Sequence, residues 1–551
     1  MKLIEISKDS NEKYTFDAES VQYAKNVASF KCIVGKNGSG KTTFLNDIFY
    51  ERVKFLFRDQ DSEYQHTSNS PLPHFDKLYN IVKFSVSIET SYSKLRKAGF
   101  FDVSTSGYLY DMTLAELHRK DSIEQVKMTV AYFNSLESLI NFTSKTVSVE
   151  LSQTGQAIKS LGSKYLSSKI NVSGKDSVLK VMKLKFLAIF LDKLEEIKES
   201  ESQEEEAMAV LREQVLDAVG KSGDDKDIDL TFVKQLKGNV YKSVQTDLLK
   251  EVMEILEEFV QDYQTFYDHY WPTRETGLNL GSVEGRESLR KLLSLMKNNS
   301  SIHEVFSVLE FKWRGLSSGE LAIITLLARL GAVEEKLSKE ANVLLLIDEV
   351  DLGLHPEWQR KWVSDILPII AEVVRGEQSS GQKKRIVQVI IATHSPIILS
   401  DIFSKDIIYL GEDEESRNKL KTFGQNIYSL FKESFFLKDV QGEFSLTFIK
   451  ELIGVLDELK NKGYPKCEMA TIANFFDKYG LNKPELGEER ASFEKLVDSI
   501  GEQIIRVHLQ QVLESIQWSD SEVYDEEDAQ RSIKALEAEL EEPRASLKDD
   551  E

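Results

Sequence analysis

Apolar residues recur along the chain with two different periods, and each period predicts a different secondary structure. In two parts of the sequence they form short, nearly unbroken runs, as in residues 28–34 and 343–347, which is typical of buried strands. Elsewhere they recur every three or four positions, as in residues 179–191 and 248–260, which predicts helices that bury one face. We therefore expect an α/β core that is split by a large helical insertion and followed by a mainly helical region. The expected boundaries are 1–90 and 306–423 for the two halves of the core, 91–305 for the insertion, and 424–551 for the helical C-terminal region with its acidic tail.

The first apolar run leads into a glycine-rich loop that carries the strongest chemical signal of the sequence. Glycines let a backbone wrap closely around phosphate with its N–H groups turned inward, and the N-terminus of the following helix favours negative charge. In this pattern the lysine reaches the β- and γ-phosphates, and the last hydroxyl binds Mg²⁺. The loop consists of Gly35, Lys36, Asn37, Gly38, Ser39, Gly40, Lys41 and Thr42, and Thr43 follows it. It predicts binding of a nucleoside triphosphate, ATP, together with Mg²⁺.

A second signal lies far downstream, where the apolar run 343–347 ends in two carboxylates, Asp348 and Glu349. Mg²⁺ requires octahedral oxygen geometry and usually keeps several of its waters, so it needs little help from the protein. One hydroxyl and one carboxylate are enough. Thr42 and Asp348 are therefore the expected metal-binding residues.

Length and composition narrow the class of protein. The 551 residues exceed the ~250–300 at which single cores stop growing, so more than one compact unit is expected. No apolar run approaches the ~20 residues of a membrane span, and the N-terminus does not resemble a signal peptide. Only Cys32 and Cys467 occur, too few for a disulfide framework. We expect a cytoplasmic protein with no membrane partner.

The formal net charge of −21 argues against a surface that binds nucleic acid everywhere. One stretch is locally basic, with Asp176 as its single acidic residue. It could be a polyanion-binding patch or simply a solvated lysine-rich surface, and the sequence leaves both interpretations open. The seven lysines are Lys159, Lys164, Lys169, Lys175, Lys180, Lys183 and Lys185.

The order of five motifs identifies the class of ATPase that the sequence resembles. Ser317 precedes a strongly apolar helical run and is expected to cap it, with the positive end of that helix free to face an anion. Along the chain the order is phosphate loop, this capped helix, the carboxylate strand, the segment 350–356, and a strand followed by His394. This order resembles the ABC-type P-loop ATPases, in which the last four are the signature motif, Walker B strand, D-loop and switch histidine. The resemblance covers residues 1–90 and 306–415.

The resemblance implies a site shared by two copies of the chain. It implies that two subunits close head to tail over two ATP molecules, with Lys41, Thr42 and Asp348 acting in cis. Glu349 would be the base that orients the attacking water, and His394 would sense the γ-phosphate. The residues implied to act in trans are Ser317, Ser318, Gly319 and Glu320.

The sequence departs from the ABC pattern in two places, and each affects which residue roles can be transferred to this chain. Ser318 and Glu320 stand where transporter ATPases have Gly and Gln, a variant typical of their non-transporter relatives. A Q-loop glutamine is not evident, because Gln60 and Gln65 precede the expected strand and Ser85 and Ser87 lie within it. The sequence thus does not identify the residue that couples nucleotide binding to the insertion.

Other segments resemble the OLD-like group of ABC ATPases from bacterial anti-phage systems. These are Leu354 to Gln359 and Ala392 to Pro396. The helical pattern after 424 does not fit a Toprim nuclease. The length, the split core and residues 423–431 together resemble the PtuA family of Septu systems and some retrons. That resemblance implies a partner HNH nuclease of the PtuB kind, and in retrons a reverse transcriptase and its RNA-linked DNA. Nuclease activity is expected in the partner and not in this chain.

Two alternatives remain open. The first is a DNA-repair ATPase of the SMC kind, although the sequence has no Cys-x-x-Cys hook and no sustained heptad pattern. The second is a scaffold in which ATP is structural and is hardly hydrolysed, since both a scaffold and a turning-over enzyme need the same residues.

Overall fold

A computed structural model describes most of the chain, and it divides the chain into two compact units, residues 1–437 and 438–551. The sequence placed this boundary at 424. The structure places it later because Leu430, on a short helix after 424, is fully buried in the core of the first unit. The described residues are 2–8, 13–16, 21–36, 38–59, 62–89, 95, 97–151, 178–179, 181–182, 185–186, 247–273, 276–296, 309–376, 385–410, 421–435, 441–462, 469–485 and 487–518.

The strands of the described chain all lie in the first unit. They are β1 (Lys2–Ser7), β2 (Lys13–Thr15), β3 (Val27–Gly35), β4 (Lys54–Asp59), β5 (Ser62–His66), β6 (Tyr79–Ser85), β7 (Phe100–Asp102), β8 (Thr146–Leu151), β9 (Leu278–Asn279), β10 (Leu309–Arg314), β11 (Asn342–Asp348), β12 (Val387–Ala392) and β13 (Ile407–Leu410).

The helices include several that cover the sheets and a separate group in the second unit. They are α1 (Lys41–Phe49), α2 (Phe75–Leu78), α3 (Thr105–Leu109), α4 (Leu114–Ala131), α5 (Phe133–Glu137), α6 (Asp247–Tyr270), α7 (Val283–Leu295), α8 (Ser318–Glu334), α9 (Pro356–Arg360), α10 (Leu367–Arg375), α11 (Pro396–Leu399), α12 (Ile427–Glu433), α13 (Glu443–Lys462), α14 (Met469–Lys478), α15 (Glu489–Asp498) and α16 (Gln503–Ser515). Short 3₁₀ turns lie at Phe142–Ser144, Trp271–Thr273 and Ser404–Asp406, and a π-helical turn lies at Trp362–Ile366.

The core of the first unit is a parallel sheet, which agrees with the α/β core that the sequence predicts. Among the described strands its order is β13-β3-β12-β11-β6-β7, and each neighbouring pair is parallel. All residues of β6, β11 and β12 are buried, which explains why apolar residues predominate in these strands. The predicted α/β core is therefore confirmed.

Side chains of the central strands alternate between two hydrophobic cores, one on each face of the sheet. Val343, Leu345 and Ile347 of β11 pack into the core that contains residues of α4, α8 and α10. Leu344 and Leu346 point the other way, into the core that contains residues of α1, β1 and β4. Both faces of the sheet are thus covered, and the carboxyl ends of its strands stay available for a site.

An antiparallel sheet, β2-β1-β4-β5, covers the α1 face. One buried side chain fastens it to the central sheet. Gln388 of β12 accepts a hydrogen bond from the Leu3 N–H over 2.8 Å and donates to the Leu3 carbonyl over 3.0 Å. The same amide donates to Ser29 Oγ and accepts from the Tyr79 hydroxyl. All the hydrogen-bonding capacity of this fully buried amide is used, which compensates for its desolvation.

The segment 91–305 contains strands as well as the expected helices. Strand β7 joins the edge of the central sheet, and β8 and β9 form an antiparallel sheet with β10 in the order β10-β8-β9. The period-two pattern of β8, in which Val147 and Val149 are buried between polar residues, was not recognised in the sequence. Helix α6 spans the run 248–260 and buries Phe259 with other aromatic residues at helical spacing.

The second unit is described from α13 to α16. Its core is built from one face of each helix, with Leu452, Leu456, Phe493 and Leu509 fully buried. No helix in the described part of either unit combines the length and apolarity needed to cross a bilayer.

Candidate nucleotide-binding site

The glycine-rich loop connects β3 directly to α1, which is the context that its chemistry requires. Gly38 and Gly40 have φ angles of 80° and 88°, in the left-handed region that favours glycine. A Cβ at Gly35 would lie only 2.5 Å from Ser39 Oγ and 2.8 Å from the Leu410 carbonyl, so this position requires glycine for a different reason, close packing. No side chain caps α1, and its first N–H groups stay available to an anion.

Lys41 lies at the start of α1 and is nearly buried, with 7% of its surface exposed. Its ammonium donates to the carbonyls of Gly35 and Lys36 over 2.9 and 3.1 Å. Burial lowers the pKa of Lys41, and the carboxylates of Asp348, Asp351 and Glu349 oppose that effect. The lysine is therefore held inside the loop, within the electrostatic reach of the acidic groups that follow β11.

The hydroxyl of Thr42 lies beside the carboxylate of Asp348, although the two residues are 306 positions apart. Asp348 is 2% exposed, and burial raises its pKa while the Thr42 hydroxyl and the Lys83 ammonium lower it. The predicted pair of metal-binding residues is thus brought together by the fold.

Glu349 follows Asp348 at the carboxyl end of β11 and has a φ of 53°, a left-handed conformation that is uncommon for residues other than glycine. Its carboxylate accepts a hydrogen bond from the Ser87 hydroxyl, in the segment after β6. Because β6 is the parallel neighbour of β11, with Ser85 paired to Asp348, these groups meet at one edge of the sheet.

Asp351 ties the segment after β11 to the loop that carries His394. One of its carboxylate oxygens accepts hydrogen bonds from Thr393 Oγ at 2.5 Å and from the His394 N–H at 3.1 Å. Loss of solvent around the His394 imidazole lowers its pKa, and the Lys41 ammonium lowers it further. The charges of Asp351 and Glu349 oppose this shift. Lys41, Glu349 and His394 therefore act on one another electrostatically.

Ser317 caps α8, as the sequence predicts, in a reciprocal capping box with Glu320. The Ser317 hydroxyl accepts from the Glu320 N–H at 3.3 Å, and the Glu320 carboxylate accepts from the Ser317 N–H at 2.7 Å. Lys145 forms an ion pair with the same carboxylate at 3.0 Å. A Cβ at Gly319 would lie 2.9 Å from Cδ1 of Trp358, so the indole covers this part of the first turn.

Some predicted site residues lie outside the described part of the chain. Asn37 of the phosphate loop is one. Of the lysines at 159–185, only Lys185 is described, next to Phe186, whose ring stacks on Phe259. The lysine patch as a whole therefore stays a prediction.

The sequence alone assigned no role to four polar residues around the site, Lys83, Ser87, Glu89 and Lys145. Ser87 contacts Glu349; Glu89 accepts from the Lys83 ammonium and, at 3.3 Å, from Asn46 on α1. Lys145 was not singled out either. One signal was available: Lys83 is a lone cation in the apolar strand β6, and a buried cation needs an acidic partner nearby.

His66 and His74 are the two histidines that lie closest together in the sequence. His66 is fully buried, pairs with Glu51 over 2.5 Å and stacks on Phe75. Within the described ranges, no group of three or more His, Cys, Asp or Glu side chains is placed to hold a metal ion.

Comparison with known proteins identifies related ATPases. Residues 15–399 match the AAA ATPase domain family. The chain is 24% identical to the Retron Vc95 probable ATPase of Vibrio cholerae serotype O1 biovar El Tor over an aligned segment of 198 residues. This segment covers 34% of this chain and 32% of that protein. It is 28% identical to the Retron Ec83 probable ATPase of Escherichia coli over an aligned segment of 197 residues. That segment covers 33% of this chain and 32% of the relative. The chain thus spans about a third of the length of the curated relatives it matches.

Proposed function

Because the chain belongs to the AAA ATPase domain family, we propose that it binds ATP with Mg²⁺ and hydrolyses it at the site formed by α1, β11 and the His394 loop. The observation that carries this proposal is the proximity of the Thr42 hydroxyl to the Asp348 carboxylate, with the Lys41 ammonium held in the same loop. This contact joins the phosphate loop, which follows β3, to the carboxylates at the end of β11.

The residues present fit both groups that the reaction requires. Ser39 Oγ in the loop is shielded from solvent and has no hydrogen-bond partner among the described residues, so a phosphate oxygen could satisfy it. Thr42 and Asp348 would hold Mg²⁺, directly or through water, and this oxygen-only pair suits a hard cation. When bound, the ion would neutralise charge on the β- and γ-phosphates.

Hydrolysis would depend mainly on positioning and charge. Glu349 would orient a water for attack on the γ-phosphorus and accept its proton. Lys41 would stabilise the negative charge on the phosphate oxygens, and His394 would contact the γ-phosphate. The Glu349 carboxylate accepts a hydrogen bond from the Ser87 hydroxyl, whereas the buried Asp348 carboxylate lies beside Thr42, so the two adjacent acids would serve different tasks.

We further propose that two copies of the chain complete the site, with Ser317, Ser318 and Gly319 of one facing the nucleotide of the other. The capping box supports this arrangement because it satisfies the N–H of Ser317 and Glu320 within the helix. Between them, the N–H of the exposed Ser318 is left to meet an anion.

The biological setting that we propose is a defence complex of the PtuA or retron type. In it this ATPase would control a partner HNH nuclease, with a reverse transcriptase and RNA-linked DNA in the retron form. The names of the two bacterial relatives support the retron connection. The helices of the second unit are the proposed partner surface.

The decisive experiment compares wild type with Glu349→Gln. The variant should bind a fluorescent ATP analogue with unchanged affinity while phosphate release falls by ~100-fold or more. Glu137→Gln, on the exposed face of α5, is the matched control and should behave as wild type. If wild type binds ATP but releases no phosphate, ATP is structural. If Glu349→Gln still hydrolyses ATP, Glu349 is not the base.

A further inference from the structure

The segment after β6 points alternate side chains toward and away from the catalytic carboxylates. Ser85, Ser87 and Glu89 face inward, whereas Val86 and Ile88 are 42% and 67% exposed. This is the alternation of an extended chain that continues the direction of its strand. Ser87 is thereby placed opposite Glu349, to which its hydroxyl donates a hydrogen bond.

Hydrogen bonds on both sides of Ser87 fix its position. Its N–H donates to Ser85 Oγ over 3.2 Å, and Ser85 is itself in register with Asp348. Its carbonyl accepts from Ser106 Oγ over 3.5 Å, and the same Ser106 oxygen accepts from the Glu89 N–H over 2.7 Å. Ser87 therefore has little freedom to follow a moving carboxylate.

Glu89 connects this segment to the helix of the phosphate loop. Its carboxylate forms an ion pair with Lys83, which is 1% exposed, and accepts from Asn46 of α1 over 3.3 Å. Helix α1 also begins with Lys41 and Thr42. The residues that hold Ser87 and the residues that bind phosphate are therefore linked through this helix.

We propose that Ser87 is a positioning residue for Glu349. This inference rests on the proposed hydrolysis of ATP. The Ser87 hydroxyl holds Oε2 of Glu349, which leaves Oε1 to accept the proton of the attacking water. The water oxygen then bonds to the γ-phosphorus as the bond from γ-phosphorus to the bridging oxygen breaks, giving ADP and phosphate. Without the hydroxyl, the carboxylate would sample other rotamers and orient water less often.

The test measures kcat and KM for ATP hydrolysis in Ser87→Ala and Ser87→Thr. A hydrogen bond to a charged group predicts a fall in kcat of roughly 10–100-fold in Ser87→Ala, with KM changed by less than about twofold. Ser87→Thr keeps a hydroxyl at the same position and should recover kcat to within about threefold of wild type. Ser294→Ala, which removes an exposed hydroxyl that donates to a backbone carbonyl on α7, is the matched control.

The outcomes separate this inference from the proposed function. If wild type hydrolyses ATP and Glu349→Gln does not, yet Ser87→Ala keeps the wild-type kcat, Ser87 has no positioning role. The same conclusion follows if Ser87→Thr is as slow as Ser87→Ala, or if both variants lose ATP binding and thermal stability, since Ser87 would then be structural. If wild type releases no phosphate, both the proposed function and this inference fail.

Discussion

The Lys145 ammonium lies 3.0 Å from Oε2 of Glu320, and both side chains are 12% exposed. Lys145 directly precedes β8, whereas Glu320 lies in the first turn of α8. The antiparallel sheet is already joined to α8 by the chain, because β10 pairs with β8 and leads into the helix. The ion pair is a second connection, so a displacement of β8 would act on the end of α8 that carries Ser317 and Gly319.

Removing the Lys145 charge should destabilise the first unit in a pH-dependent way. Burial alone would raise the pKa of Glu320, but hydrogen bonds from Ser317 and Lys145 outweigh it and the pKa is lowered. A lowered carboxyl pKa in the folded state stabilises the fold above the unfolded value of 4.5, and this contribution is lost as pH falls through the folded pKa. Lys145→Met should thus reduce the free energy of unfolding by ~1 kcal/mol at pH 7 and by less at pH 4.

Urea titrations at the two pH values would check this. Lys312→Met is the matched control, because it removes an exposed pair with Glu150 that links β10 to β8 in the same antiparallel sheet. It should cost little at either pH. Equal losses for the two variants at pH 7 would contradict the prediction.

A buried acid in α6 gives the opposite pH dependence. Burial, with a contribution from Glu258, raises the pKa of Asp262 from 3.8 to about 6. A raised carboxyl pKa means that ionisation is costly in the folded state, so stability is lost as pH rises from about 4 to above 6. Asp262→Asn should raise the free energy of unfolding by about 2 kcal/mol at pH 8 and leave it unchanged at pH 4. Thermal melts of this variant and of the exposed control Asp268→Asn, at both pH values, would show whether the gain is specific to the buried site.

Gln388→Leu should be strongly destabilising even though it exchanges a buried polar group for an apolar one. The leucine would leave the Leu3 N–H and carbonyl and the Tyr79 hydroxyl buried without the partners they have now. We expect a loss of about 3–5 kcal/mol in the free energy of unfolding, measured by urea titration. Gln264→Leu, which removes an exposed amide on α6 that bonds only within its helix, should change it by less than about 1 kcal/mol. Similar losses for both variants would show that the Gln388 amide does not anchor β1.

The contact between Gly319 and Trp358 can be tested with a double-mutant cycle. Gly319→Ala should lower the free energy of unfolding by ~1 kcal/mol, because the new methyl would meet the indole at 2.9 Å and the ring would have to shift. In a Trp358→Ala background the same change should be neutral or stabilising, since alanine favours a helix over glycine. Equal effects of Gly319→Ala in both backgrounds would show that the two residues are not coupled.

Local patterns were sufficient to predict the α/β core and the groups around the phosphate loop. The runs that form β3 and β11 are almost entirely apolar because both strands are buried on both faces. The Ser317 cap could be predicted because a capping residue followed three positions later by glutamate specifies its own partner.

The sequence could not show contacts that depend on register between distant strands. Ser87 meets Glu349 only because Ser85 of β6 pairs with Asp348 of β11, and nothing near either residue indicates that pairing. Strand β8 was missed for a related reason. Its alternation is short, and it becomes a strand through pairing with β10, which lies beyond the whole helical part of the insertion.

The strand order has a consequence for how the protein folds during synthesis. Strand β3 carries the phosphate loop near the start of the chain, but its neighbours in the described sheet are β12 and β13, from residues 387–410. At the ~5–20 residues per second of translation, β3 would wait on the order of tens of seconds for either neighbour. Throughout that time its unpaired backbone edges and its apolar side chains would be exposed to other nascent chains. The protein is thus expected to need a chaperone while the ribosome completes its second half.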